Sequence, residues 1–82
     1  MQVILSKNAT KHLERLPKSE KLKIQKKILR LQENPYSGKK LSGELDKSRS
    51  LKAWPYRIIY SINESEKIVG ISEILHRQGA YK

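Results

Sequence analysis

The chain has 82 residues, with 18 Lys and Arg against 8 Asp and Glu, and a formal charge of +10. That length predicts one domain over residues 1–82 with a small core, and the charge draws it toward nucleic acid, an anionic membrane or an acidic protein, against the bland alternative of solubility alone. The lack of Cys excludes disulfides and thiolate metal sites and fits the cytoplasm, while an N-terminal apolar run of only Val3-Ile4-Leu5 predicts neither a signal peptide nor a membrane span.

Gln2 to Leu5 reads as a short strand that pairs with a later one. Ser6 can cap a helix beginning near Lys7, in which Ala9, Leu13 and Leu16 form one apolar stripe. Pro17 forces a boundary. Ser19 to Glu33 contains no Gly or Pro and reads as an amphipathic helix. The helical wheel puts Leu22, Ile24, Ile28, Leu29 and Leu31 on the half facing a sheet, and Lys23, Lys26, Lys27, Arg30 and Glu33 on the other. That basic half is either solvated surface or a binding face. The two helices form a hairpin. Asn34-Pro35-Tyr36-Ser37-Gly38 ends the second helix and turns the chain. Ser42-Gly43 signals a further turn, with Leu41 and Leu45 available as anchors, and Lys47-Ser48-Arg49-Ser50 is a loop or the start of the next strand.

Leu51 to Ile62 contains the single Trp and no Gly, Asp or Glu. From Tyr56 it alternates: Tyr56, Ile58, Tyr60 and Ile62 point one way, Arg57, Ile59 and Ser61 the other. Ile on both faces predicts an internal strand of a three- or four-stranded sheet. Pro55 belongs at a strand start or bulge, so the preceding strand ends or kinks at Trp54-Pro55. Asn63-Glu64-Ser65-Glu66 is a hairpin turn. Lys67 to Leu75 is the last long strand, with Ile68, Gly70, Ser72 and Ile74 on one face and Val69, Ile71, Glu73 and Leu75 on the other. The order is β-α-α-β-β-β and the class α+β. Two N-terminal helices cover one face of a small, mainly antiparallel sheet, and the other face stays open for a ligand.

No His, Asp or Glu set stands at metal-ligand spacing, and no Gly-rich phosphate loop is present, so neither metal nor cofactor is expected. The chemistry-bearing set is cationic: Arg49, Lys52, Arg57, His76 and Arg77, with Tyr81 near the end. The Arg fork suits phosphate, His carries a proton near neutral pH, and Tyr acts as a base only where cations favour its phenolate. Cations around a phosphodiester stabilise a dianionic transition state. RNA supplies its own nucleophile, the 2′-hydroxyl. The same groups could merely hold a backbone, and structural roles compete: Arg57 pairing with Glu73, and Tyr81 covering the sheet edge.

Leu51-Lys52-Ala53-Trp54-Pro55-Tyr56-Arg57-Ile58-Ile59-Tyr60, a hairpin, an apolar strand, then His76-Arg77 and Tyr81, resembles the RelE/ParE superfamily of bacterial toxins. Upstream, Ala9 to Pro17, the long basic helix, Asn34-Pro35 and Lys40-Leu41-Ser42-Gly43 match as well, so the resemblance spans essentially the whole chain. It implies a microbial ribonuclease-like fold and the toxin role in a type II toxin–antitoxin pair, with a cognate acidic antitoxin as partner. The RelE-like branch cuts messenger RNA in the ribosomal A site; the ParE-like branch poisons DNA gyrase. In the first branch, Arg57 matches the central-strand Arg that contacts the scissile phosphate, and Arg77 matches the Arg after the last strand. Tyr81 is the candidate base for the 2′-hydroxyl, with His76 as the alternative. The lysines of the preceding strand fall near Ser48 and Ser50, and the cations actually present, Lys47, Arg49 and Lys52, form the implied RNA-binding set. Three functions follow as expectations: a ribosome-dependent endoribonuclease, a gyrase inhibitor that cuts nothing, or a catalytically weak module that binds RNA or antitoxin.

Overall fold

A computed structural model describes residues 1–40 and 48–76. The elements run β1 (Gln2–Leu5), α1 (Lys7–Arg15), α2 (Lys18–Glu33), a 3₁₀ turn (Pro35–Ser37), β2 (Lys39–Lys40), β3 (Ser48–Ala53), β4 (Tyr56–Asn63) and β5 (Ile68–His76). The strands form one mixed sheet in the order β1-β5-β4-β3-β2. The β2–β3, β3–β4 and β4–β5 pairs are antiparallel, and β1 lies parallel to β5. The expected α+β architecture and the internal position of Tyr56 to Ile62 both hold. The sheet is one strand wider than expected because Lys39–Lys40, read from sequence as part of a turn region, pairs with β3 as a short edge strand. Ser42-Gly43, Leu41 and Leu45 lie outside the described residues. No described helix is long and apolar enough to cross a membrane.

Alternation decides which side of β4 is buried. Ile58 and Tyr60 are fully buried under the helices with Ala9, Ile24 and Leu31, whereas Arg57 and Ile59 point to the helix-free face. β3 ends at Ala53 and β4 begins at Tyr56, with a cis Trp54–Pro55 bond between them.

The second helix departs from the wheel reading. Leu22 and Leu29 are 52% and 58% exposed, and Lys23 and Lys27 are half-buried. The buried line runs through Ile24 and Leu31, flanked by Ile28. At 3.6 residues per turn, Leu22 and Leu29 sit roughly 150° round the helix from Ile24, too far to share its contact. Lys23 is pulled inward by polar bonds: its Nζ donates to the Trp54 carbonyl at 2.9 Å and to Glu20 Oε2 at 3.2 Å.

The last strand also departs from simple alternation. Ile59 faces Glu73, but the next residue, Tyr60, faces Ile71, so Ser72 is an extra residue on β5. The bulge reverses the faces beyond it. Ile74 therefore joins Val69 and Ile71 in the core instead of lying opposite them. Ser72 Oγ donates to the Ile59 carbonyl at 3.2 Å. The Ser72 carbonyl accepts from Ser6 Oγ at 2.7 Å, and Ser6 N donates to the Ile71 carbonyl at 2.8 Å. Ser6 also caps α1 as expected, its Oγ accepting from Ala9 N at 3.1 Å. One side chain thus ties the start of α1 to the bulge. Ser6→Ala is expected to cost about 1 kcal/mol, read as a lower urea midpoint at unchanged m-value.

Candidate functional site

On the helix-free face, the β3–β4 ladder sets Lys52 directly opposite Arg57, and Ser50 opposite Ile59. The β2–β3 ladder sets Lys39 opposite Ser50. Lys39, Lys52 and Arg57, with Ser37, Ser50 and Leu51, line a groove of about 440 Å³. Neighbouring strands stand about 4.8 Å apart, so three long cationic side chains reach a common space above three adjacent strands. Like charges directly opposite one another across a ladder are destabilising, and an anion seated between them removes that penalty. The groove therefore has a charge and shape suited to an anion.

The sequence-predicted residues divide among several places. Arg57 and Lys52 meet in the groove. Arg49 does not join them: its Nη1 donates to the Gly38 carbonyl at 3.1 Å and its guanidinium lies over the Tyr36 ring. The residue facing Arg57 on β5 is Leu75, and His76 faces Tyr56. Cross-strand partners share a face, so His76 is on the helix-covered side, opposite to Arg57. Its ring meets the Tyr56 ring edge-on at 5.1 Å, at the mouth of a cleft of about 360 Å³ shared with His12, Arg15, Leu16 and Ile74. Lys47, Arg77 and Tyr81 lie outside the described residues. Among the described residues no three His, Asp or Glu side chains gather as metal ligands.

Two tyrosines in the described chain are held as acids rather than bases. A hydrogen bond to the Glu64 carboxylate keeps the Tyr36 phenol above its ordinary value. Burial pushes Tyr60 up, against smaller opposing effects of the Gly38 amide and Arg49. The Tyr60 hydroxyl donates to the Pro35 carbonyl at 2.8 Å and accepts from Gly38 N at 2.9 Å. This clasp carries the Pro35–Ser37 turn onto the core and so positions Lys39 at the groove.

Lys39 is the site residue that sequence reasoning missed. Gly38-Lys39-Lys40 was legible as a basic run after a turn, but its pairing with Ser50 is set by tertiary structure. In that arrangement a lysine from β2 stands beside a serine on β3, close to where the resemblance leads one to expect a lysine.

A family model described as the ParE toxin of type II toxin–antitoxin system, parDE, matches residues 3–81. No curated protein sequence matches. Among solved structures, the chain is similar to the toxin–antitoxin complex RelBE2 from Mycobacterium tuberculosis, with 27% identity over 93% of this chain and 96% of that one and a TM-score of 0.85. It is similar to the archaeal RelE–RelB complex from Pyrococcus horikoshii, with 25% identity over 93% of each chain and a TM-score of 0.77. It shares the fold of the isolated E. coli RelE toxin, with 19% identity over 92% of this chain and 82% of that one and a TM-score of 0.79.

Proposed function

Because the chain belongs to the ParE toxin family of type II toxin–antitoxin systems, we propose that this toxin works in the cytoplasm as a metal-independent endoribonuclease that cuts messenger RNA in the ribosomal A site. The observation that carries this reading is the groove in which Lys39, Lys52 and Arg57 converge on the open face of the sheet. Arg57 holds the scissile phosphate, and Lys52 and Lys39 hold it or its neighbour. Arg49, outside the groove, and Lys47 steer the RNA backbone on its approach. Arg77, the next residue but one after the Leu75 that faces Arg57, offsets charge as the 2′-oxygen attacks phosphorus. Tyr81 takes the 2′-proton, and His76 ranks second because its ring lies on the far face with Tyr56. The bond from phosphorus to the 5′-oxygen breaks and that oxygen takes a proton from water, leaving a 2′,3′-cyclic phosphate and a 5′-hydroxyl. The partner is an acidic antitoxin: a charge of +10 favours fast capture of an oppositely charged chain.

A gyrase-directed toxin is the second reading. It is favoured by the ParE description of the matching family and by Ser48 and Ser50 at the positions where RelE-like toxins carry lysines. Purified protein given translating ribosomes, with primer extension on the messenger, separates the two. Cleavage with cyclic-phosphate ends is expected. An intact messenger, together with arrested gyrase on supercoiled DNA, would make the second reading correct.

A further inference from the structure

Tyr36 and Arg49 build a separate feature at the other end of the sheet from Lys52 and Arg57. The Tyr36 ring is 48% exposed, yet it is fixed along its length. Its backbone N donates to Asn34 Oδ1 at 3.2 Å and its hydroxyl donates to Glu64 Oε1 at 2.8 Å. Arg49 Cζ stands 5.2 Å from the ring centroid, and Gly38 anchors that guanidinium from behind. Lys40 pairs with Arg49 across the β2–β3 ladder. Tyr36, Lys40, Arg49, Ser61, Asn63 and Glu64 line a depression of about 660 Å³.

An exposed aromatic ring held at both ends has given up its rotamer freedom before any ligand arrives, and binding energy is not spent on ordering it. The flat ring and flat guanidinium suit a planar ligand, while Lys40 and Arg49 favour one that carries negative charge. A nucleobase with its attached phosphate satisfies both demands. The two lysines of β2 give the path. Consecutive strand residues point to opposite faces; Lys39 lines the groove and Lys40 lines the depression.

We propose that the Tyr36–Arg49 pair is a nucleobase-stacking subsite, on which one base of a single-stranded RNA rests while Lys40 holds the adjoining phosphate. It rests on the reading of the groove as an RNA site and extends it: a strand with one phosphate on Lys39 rounds the β2 edge and lays its next exposed base on Tyr36. Stacking on an aromatic ring tolerates any base, since each has a π-face, so this subsite strengthens grip without choosing a codon.

The test uses the full chain and two short RNA-backbone oligonucleotides, one wholly abasic and one carrying a single 2-aminopurine. The wild type should bind the base-containing strand about 10-fold more tightly and quench its fluorescence. Tyr36→Ala should bind both strands equally and leave the abasic affinity unchanged, whereas Tyr36→Phe should keep the preference. Tyr36→Leu, which retains apolar bulk without the flat ring, should behave as Tyr36→Ala and serves if the latter fails to fold. Equal binding of both strands by the wild type, or a preference that survives in Tyr36→Leu, would overturn the subsite. Messenger cleavage on ribosomes is scored separately with the same proteins, so an absent subsite and an absent ribonuclease give different results.

Discussion

Arg57→Ala is expected to slow single-turnover cleavage on saturated ribosomes by about 10²-fold or more, with ribosome affinity much less affected. Arg57 lines the groove from a strand paired on both sides, so the backbone that carries it is fixed before substrate arrives. A preorganised cation counts most where charge develops, and the phosphorane gains a charge that the ground-state diester lacks. Lys52 faces Arg57 across the ladder but is exposed, with a flexible stem and a well-hydrated head. Lys52→Ala should therefore weaken binding more than the chemical step and flatten its salt dependence. Equal losses of rate constant and affinity in Arg57→Ala would reduce that residue to a binding contact.

Gly38→Ala is expected to be the most damaging small substitution outside the groove. A Cβ at Gly38 would overlap the Tyr60 hydroxyl and ring. Tyr60 is fully buried, so its ring has no room to withdraw. Overpacking costs about 1–3 kcal/mol, and parting the Tyr60 hydroxyl from Gly38 N orphans a buried donor at a similar cost of about 1–3 kcal/mol. A chain of this size loses roughly 4–8 °C of melting temperature per kcal/mol, so a drop of at least about 8 °C should follow. Tyr60→Phe removes the clashing oxygen but strands the Pro35 carbonyl and Gly38 amide. The double variant should then be more stable than the sum of the two single losses, a coupling that calorimetry on all four proteins would measure. A Gly38→Ala protein that melts with the wild type would refute the clasp. The same burial gives a pH signature. Because the folded Tyr60 titrates above its unfolded value of about 10, its contribution is complete below that pH and is lost as pH rises through the folded value. Tyr60→Phe lacks this alkaline loss.

The parts legible in sequence were those governed by local rules. Ser6 announced its cap, Pro17 its boundary and Asn34-Pro35 its turn, and alternation placed Arg57 on the face away from Ile58 and Tyr60. Leu22 and Leu29 were misplaced because hydrophobicity was allowed to widen the contact face beyond what helix geometry permits. Lys39 was missed because the edge strand that carries it exists only by pairing with a strand that follows a long connection. His76 was grouped with Arg57 because a meander brings the end of the last strand close to Arg57, and closeness along the sheet does not decide the face: His76 pairs with Tyr56 and so lies on the other side.

The extra residue at Ser72 has a consequence for descent. Sequence comparison scores residues one by one and is blind to the side of a sheet on which they emerge. In a relative lacking the counterpart of Ser72 the ladder would close one for one, and the residues aligned with Leu75 and His76 would still face the counterparts of Arg57 and Tyr56. Loss of that single codon would shorten the last strand by one residue without exchanging the side chain that faces Arg57. The bulge thus lets the last strand change length at Ser72 while the side chains beyond it keep their places on the sheet.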